Sequence, residues 1–258
     1  MLLRRIYQFL IIYALGLAVL FILKYTLGLS DYVIPGPWEL VKQFKQFSGH
    51  YLAQVMNTLS VAVVGQIASV LMAFFVGVVG RQATWFGSFI KVAAYNVQAY
   101  PIVAIAPIIF ILLGDGILTR LLIAAMICYF PLLLSVLGAM SEPVADIEHF
   151  YRVTSRMRWQ LEVKIRAFEN LHKLTTVVSG SATLAMAGTI VAEFIAADAG
   201  IGYSIRIALY QGELSKILIA LFLIGINLSV YQGLLEALGL IVKSGWSNVK
   251  EVQNETDP

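Results

Sequence analysis

The chain has 258 residues, of which 59% are hydrophobic and 13% are charged. A soluble domain carries roughly 25% charged residues, so this composition leaves too little polar surface to cover a water-soluble globule. The net charge of +3 does not indicate a nucleic-acid-binding protein. Because Cys128 is the single cysteine, no disulfide can form within the chain, and its apolar surroundings predict a buried side chain.

The first apolar segment, residues 6–23, follows two arginines, Arg4 and Arg5. A charged start before an apolar run is also found in signal peptides. This run is longer than a signal-peptide core, and no small-x-small cleavage site follows it. The segment is therefore predicted to be a retained membrane span.

Six windows are long and apolar enough to cross a membrane, which takes about 20 residues per helix. They are residues 6–27, 58–79, 92–113, 117–140, 174–195 and 216–242. The predicted fold is an all-α, polytopic transmembrane helical bundle with six spans, in a single domain over residues 1–258. Lys24 is expected to snorkel from the end of the first span to the interface, and Arg120 to lie near an interface.

Basic residues in the predicted loops indicate the orientation, because cytoplasmic loops carry an excess of Lys and Arg. With the N-terminus inside, twelve of the 18 basic residues fall on the cytoplasmic side and six on the outer side. The predicted topology is therefore N-in and C-in.

The longest polar stretch, residues 141–173, joins the fourth and fifth windows. Its apolar residues recur at helical spacing, which predicts two short amphipathic helices that break near Thr154 and Ser155. Composition leaves two interpretations open. The helices either lie on anionic lipid or dock on a cytoplasmic partner protein. The polar tail, residues 244–258, is predicted to be frayed.

Motifs for enzymatic chemistry are absent from the sequence. The chain has no phosphate-binding G-x-x-x-x-G-K-[ST] loop, no H-E-x-x-H and no G-x-S-x-G. The three histidines, His50, His149 and His172, are far apart, so no metal site is predicted. We therefore assign no catalytic residue.

Polar side chains within the spans either bond between helices or line a translocation pathway. Asn96 and Gln98 are the best pathway candidates, because they precede Tyr100 and Pro101. A proline frees a backbone carbonyl and can kink the helix at this point. Pro107 can act in the same way further along the window.

Glu193 is an acidic residue within a predicted span, near the outer end of the fifth. A buried carboxylate needs a partner. One interpretation is a fixed contact with a neighbouring loop backbone or with Arg206. The other is a role at the outer mouth of a pathway.

Three segments together resemble the inner-membrane permeases of binding-protein-dependent ABC importers. The segment VAEFIAADAGIGY, residues 191–203, is similar to the AAE-hydrophobic-IAA-x-x-G-[LI]-G-[YF] pattern of the nitrate, sulfonate and taurine branch, which also includes bicarbonate and pyrimidine members. IPGP at residues 34–37 resembles the LPPP-like entry of that branch. YPIVAIAP at residues 100–107, followed by Gly-Asp-Gly, resembles its third span. The resemblance covers residues 32–240 and implies a fold like that of type I ABC importers.

In this family the loop between two late spans carries the E-A-A-x-x-x-G motif, which forms a coupling helix seated in a groove of the ATPase. The matching register places Phe150 and Tyr151 at the two alanines and Ser155 at the glycine, while Arg158 keeps the basic residue that follows. The resemblance thus implies that ATPase coupling involves Phe150, Tyr151, Arg152, Ser155, Arg156 and Arg158. The motif departs from the family at both alanines and at the glycine.

The resemblance also implies the partners. These are an ABC ATPase dimer that binds ATP and Mg²⁺, a second permease chain, a periplasmic or lipid-anchored solute-binding protein and membrane lipid. No cofactor is expected in this chain, and nucleic acid is not expected to bind. The implied location is the bacterial inner membrane. A heterodimer of permeases is favoured because the coupling motif is altered, and a homodimer stays open. The alternative function is a secondary active transporter, which is expected to show repeat symmetry or discontinuous spans.

Overall fold

The structure, a computed structural model, describes residues 2–82, 84–141, 165–167 and 169–256. Helix makes up 89% of the structure, and the described ranges contain no strand. The helices named below, in chain order, are α1 (Leu2–Leu27), α2 (Pro37–Gln82), α3 (Thr84–Ala99), α4 (Ile102–Leu113), α5 (Ile117–Ser141), α6 (Leu171–Ile195), α7 (Ile201–Tyr210) and α8 (Leu214–Thr256).

Five helices, α1, α2, α5, α6 and α8, are each long and apolar enough to cross a membrane. They contain five of the six predicted windows. The bundle has two ends: α1 and α6 run toward one of them, and α2, α5 and α8 run toward the other. The corner end carries the connections α1–α2, α4–α5, α6–α7 and α7–α8, and the opposite end carries the α2–α3 connection. The chain is therefore a multi-pass helical bundle.

The third window does not form the single span that was predicted. It divides into α3 and α4, which are bent by 88° at Tyr100 and Pro101. Pro101 has no amide hydrogen to continue the helix, and α4 packs against α5 and α6 through Ala106, Ile109 and Phe110. Pro107 lies inside α4 without ending it.

The ends of three helices add detail to the predicted windows. α2 begins at Pro37, directly after the IPGP segment, and continues for 46 residues, more than twice the length of a span. The backbone of α8 is helical to Thr256, which includes most of the tail that was predicted to be frayed. Lys24, near the end of α1, is buried and forms an ion pair with Asp31.

Small residues allow α2, α5 and α6 to approach closely at the centre of the bundle. Gly65 of α2 faces Ala124, and Gly188 of α6 faces Ala124 and Ile127, so that an added Cβ at either glycine lies 3.0–3.3 Å from its neighbours. Lipid tails are as apolar as these side chains, so close van der Waals packing holds membrane helices together. The central three helices depend on these glycines.

α1 packs chiefly against α8, on the outside of the bundle. Arg5 donates to Glu236 and to Gln232, and Tyr13 donates its hydroxyl to the Leu218 carbonyl at 3.0 Å. The helix exposes large apolar side chains on its remaining surface. Polar contacts thus fix the register of α1 along α8, while its other faces suit lipid.

The central packing predicts a difference between two glycines of α6. Gly188→Val places methyl groups against Ala124 and Ile127, whereas Gly180 has no atom within 4 Å of an added Cβ. We expect Gly188→Val to destabilise the protein by about 1–3 kcal/mol, the usual cost of overpacking, and Gly180→Val to have little effect. The measurement is the temperature at which half of the detergent-solubilised protein loses its monodisperse peak in size-exclusion chromatography. Equal temperatures for the two variants would contradict the packing described.

Candidate functional site: a buried carboxylate at the α6–α7 corner

The segment from Glu193 to Gly202, called the corner below, turns the chain from α6 into α7. α6 ends at Ile195, and Gly200, with φ of 98°, precedes the first residue of α7. Only glycine adopts this backbone conformation readily. Glu193 is completely buried, so the corner encloses a carboxylate.

The Glu193 carboxylate bonds to the start of α7 and to α2. Its Oε2 accepts the Gly202 amide at 3.0 Å and the Thr58 hydroxyl at 2.7 Å. The positive end of the helix dipole and the free amides at a helix N-terminus both favour a negative group there. Glu193 therefore acts as an anionic cap supplied by the preceding helix.

Two further amides at the start of α7 are bound by side chains of α2. The Gly200 amide donates to Gln54 Oε1 at 2.9 Å, and the Ile201 amide donates to Thr58 Oγ1 at 2.9 Å. Together with the Gly202 amide bound by Glu193, three consecutive amides are satisfied by side chains of α2 and α6. α2, α6 and α7 are joined at this point.

Glycines at both ends of the turn make room for the carboxylate. A Cβ at Gly200 would overlap the carboxylate of Glu193, and a Cβ at Gly202 would lie 2.7 Å from Glu193 Cβ. The paired glycines in the sequence thus serve close approach as well as backbone conformation.

The charge of Glu193 is balanced by Arg120 at the start of α5. Arg120 is 9% exposed, and its Nη1 lies 3.5 Å from Glu193 Oε1 and 3.4 Å from Asn57 Oδ1. An uncompensated buried charge costs several kcal/mol, so this cation stabilises the carboxylate in place. α5 is therefore the fourth helix tied to the corner.

Arg206, which was expected as the partner of Glu193, makes different contacts. It donates to the carbonyls of Phe194, Ile195 and Ala197, at 3.2, 2.9 and 2.7 Å. These carbonyls lie at the C-terminal end of α6, where a cation interacts favourably with the helix dipole. The expected contact with the loop backbone is present through Gly202, whereas the expected charge partner was wrong.

The three other residues predicted to line a pathway lie apart from the corner. Asn96, Gln98 and Tyr100 are exposed at the end of α3, next to the bend. Neither carboxamide has a hydrogen-bond partner among the residues that the structure describes. Their role, like the pathway role predicted for Glu193, remains a prediction.

The polar residues of the other spans bond inside the bundle. Gln66 of α2 donates to the Val178 carbonyl at 2.8 Å and to Ser181 at 2.9 Å, and its Oε1 accepts the Tyr231 hydroxyl at 2.6 Å. Gln66 thus links α2, α6 and α8, as interhelical hydrogen bonding predicts. Cys128 is buried, as expected.

The predicted coupling residues, Phe150, Tyr151, Arg152, Ser155, Arg156 and Arg158, lie outside the described residues, as do the amphipathic helices predicted around them. No cluster of three or more His, Cys, Asp or Glu side chains that could hold a metal ion occurs in the described ranges.

Sequence reasoning missed Gln54 and Arg120 as parts of the corner. Gln54 lies before the second window and Arg120 was placed near an interface, so neither had a visible link to Glu193. Glu193 and Arg120 are 73 residues apart, so no local pattern in the sequence indicates that they pair. The only sequence feature that could have suggested the corner is weak: Gln54 and Arg120 lie near span ends on the same predicted side of the membrane.

Long apolar helices that run in both directions, joined at one end by a buried polar corner, define a multi-pass membrane protein. Over 216 residues the chain is 30% identical to the riboflavin transport system permease protein RibX of Chloroflexus aurantiacus, and the match covers 82% of this chain and 81% of that protein. The chain belongs to the permease family of ABC-type importers.

A second relative is more distant. The formylaminopyrimidine transport permease protein ThiX of Halalkalibacterium halodurans is 19% identical over 230 residues, which cover 87% of this chain and 85% of that protein. No protein-family model matches the chain. Both relatives are named as permeases rather than enzymes, so the chain is a transmembrane permease subunit.

The corner predicts that Glu193 is needed for a stable fold. In Glu193→Ala, the Gly202 amide and the Thr58 hydroxyl lose an acceptor and Arg120 loses its counter-charge, so we expect a loss of about 3–5 kcal/mol. Asp198→Ala is the matched control, since Asp198 is an exposed acid in the same turn. Both variants are heated in detergent and assayed by size-exclusion chromatography. If the two variants survive to the same temperature, the corner does not hold the helices together.

Proposed function

We propose that the chain is one of two permease subunits of an importer driven by a separate ATPase, in the inner membrane of a bacterium. The observation that supports this most strongly is the 30% identity to a named permease over 82% of the chain. Relatives of this kind imply ATPase and binding-protein partners in general. On this proposal, residues 1–258 form one membrane domain.

In the proposed orientation both termini face the cytoplasm and the corner end faces outward. The distribution of basic residues, twelve inside and six outside, supports this orientation. The corner then lies where the solute-binding protein delivers its cargo. A permanently buried Glu193 suits a rigid outer frame better than a solute contact, because its carboxylate already has partners on α7, α2 and α5.

The proposed mechanism places the solute pathway between this chain and a second permease. Residues 145–158 enter the ATPase, and the closure of the ATPase on ATP moves the spans between inward-open and outward-open states. Arg152, Arg156 and Arg158 pair with acidic groups of the ATPase, which fixes the register of docking more than its affinity. Because the motif is altered at its alanines and glycine, we propose a heterodimer in which the second permease carries an intact motif.

The solute is proposed to be a nitrogen heterocycle. The two relatives are named for riboflavin and for formylaminopyrimidine, and both of these molecules contain a pyrimidine ring. Within the nitrate, sulfonate and taurine branch that the sequence resembles, this choice favours the pyrimidine members over the anion transporters.

The orientation is tested by labelling single cysteines with a membrane-impermeant maleimide. The background is Cys128→Ala, and the two reporters are Asp198→Cys at the corner end and His172→Cys at the opposite end, both at exposed positions. We expect spheroplasts to label only Asp198→Cys, and His172→Cys to react only after the membrane is permeabilised. Labelling of His172→Cys in intact spheroplasts would show that the orientation is reversed.

The importer mechanism is tested with the complex reconstituted in proteoliposomes, together with its ATPase, second permease and binding protein. We expect uptake to require ATP, and Tyr151→Arg or Ser155→Arg to uncouple ATP hydrolysis from uptake without loss of membrane insertion. A charge placed in the polar tail, Asn254→Arg, is the control. Normal uptake by Ser155→Arg rules out the coupling assignment. Uptake without ATP shows instead the secondary transporter that the sequence left as the alternative.

A further inference from the structure

The C-terminal end of α3 exposes a group of tyrosine and carboxamide side chains that are poorly suited to contact with lipid. Tyr95 and Tyr100 are 63% and 65% exposed, and Asn96 and Gln98 are also exposed. Within the described part of the chain, neither carboxamide has a hydrogen-bond partner. The polar residues of α2, α6 and α8 differ in this respect, since Gln66 and Asn227 both bond within the bundle.

These side chains fall inside the third predicted membrane window, residues 92–113. At a rise of about 1.5 Å per residue, Asn96 lies about 6 Å into that window, and a hydrocarbon layer is about 30 Å thick. An unpaired carboxamide facing hydrocarbon is strongly unfavourable, so this end of α3 faces a polar space or a partner.

Helical spacing pairs one carboxamide with an aromatic ring. Tyr95 and Gln98 are three residues apart, so they are neighbours on the surface of α3. Asn96 points to another side of the helix, and Tyr100 lies at the bend, after α3 ends at Ala99. Ala94 is buried and Ile90 packs against the core, which turns Asn96 away from the bundle. The surface next to the 88° bend therefore combines flat rings with hydrogen-bonding groups.

Rings and carboxamides recognise a particular kind of molecule. A phenol ring offers a stacking face to a flat π system, and a carboxamide offers a donor and an acceptor side by side, which match the edge of a heterocycle with ring nitrogens and carbonyls. The nearest charged side chain on α3 is Lys91, which is four residues before Tyr95 and about 6 Å away from it along the axis. None of the four side chains is itself a cation.

We propose that Tyr95, Asn96, Gln98 and Tyr100 form the solute contact of this subunit and that they select a neutral, planar nitrogen heterocycle over a small anion. The inference rests on the proposed importer function. The rings stack on the solute and the carboxamides bond to its edge while it passes the bend between α3 and α4. Because all four side chains are exposed, the contact is weak enough to release the solute inward.

The test uses the complete importer in proteoliposomes with riboflavin, cytosine, taurine and nitrate as probes. Each is offered to the binding protein and to the transport assay. We expect ATP-dependent uptake of a heterocycle and no uptake of taurine or nitrate. Uptake of taurine or nitrate, with none of the heterocycles, would overturn the proposed solute class and leave the importer function standing. An absence of any ATP-dependent uptake overturns both.

The residues are tested by separating ring, hydroxyl and carboxamide. Asn96→Leu keeps the approximate volume of the side chain and removes its hydrogen bonds, and we expect about a tenfold loss in kcat/KM for uptake. Tyr95→Ala should cost a similar factor, whereas Tyr95→Phe keeps the ring and most of the uptake. Tyr25→Ala is the control, because Tyr25 is an exposed tyrosine on α1.

All variants are first compared for their abundance in the membrane and for a monodisperse peak in size-exclusion chromatography. This comparison separates a folding defect from the loss of a contact with the solute. If Tyr95→Ala misfolds, Tyr100→Ala and Asn96→Leu carry the same test. ATP-driven uptake that is equally fast in Asn96→Leu, Tyr95→Ala and Tyr100→Ala overturns the solute contact while the importer function stands.

Discussion

The carboxylate of Glu193 lies in the protein interior, where a negative charge has to be balanced, and four helices meet because of this requirement. α7 supplies an amide, α2 a hydroxyl and α5 the cation Arg120. The amide and the arginine come from helix ends, where unsatisfied backbone groups or exposed charges are otherwise a cost, whereas Thr58 lies in the interior of α2. The corner thus uses polar groups of two helix ends and one helix interior, and it fixes the relative positions of these helices.

The middle of the bundle is held in a different way. Between the ends, α2, α5 and α6 approach through Gly65, Gly188 and their neighbours, and Gln66 adds one polar link to α6 and α8. Small residues allow sliding and close packing but do not specify register as a buried ion pair does. The helices are held by an ion pair and hydrogen bonds at the corner end and by small-residue packing in the middle of the bundle. This arrangement is compatible with rocking of whole helices, which the proposed transport mechanism requires.

Much of the fold could be predicted from the sequence, because partitioning into lipid is a property of each apolar window taken alone. The long helices followed from such local signals. The bend at Tyr100 did not, since its 88° angle also depends on how α4 packs on α5 and α6. The pairing of Glu193 with Arg120 was missed for the same reason, because a charge partner on another helix is defined only by the tertiary fold. Arg206 was the nearer choice in sequence, yet its guanidinium binds carbonyls at the end of α6.

The attachment of α1 to α8 has a consequence for biosynthesis. α1 finds its main neighbour in α8, which leaves the ribosome much later, with Arg5 bonded to Glu236 and Gln232 and Tyr13 to the Leu218 carbonyl. α1 must therefore wait in the bilayer for its partner until translation of α8 is complete. Closing this seam is then a late step of assembly, and a chain interrupted before α8 leaves the arginine without its counter-ion.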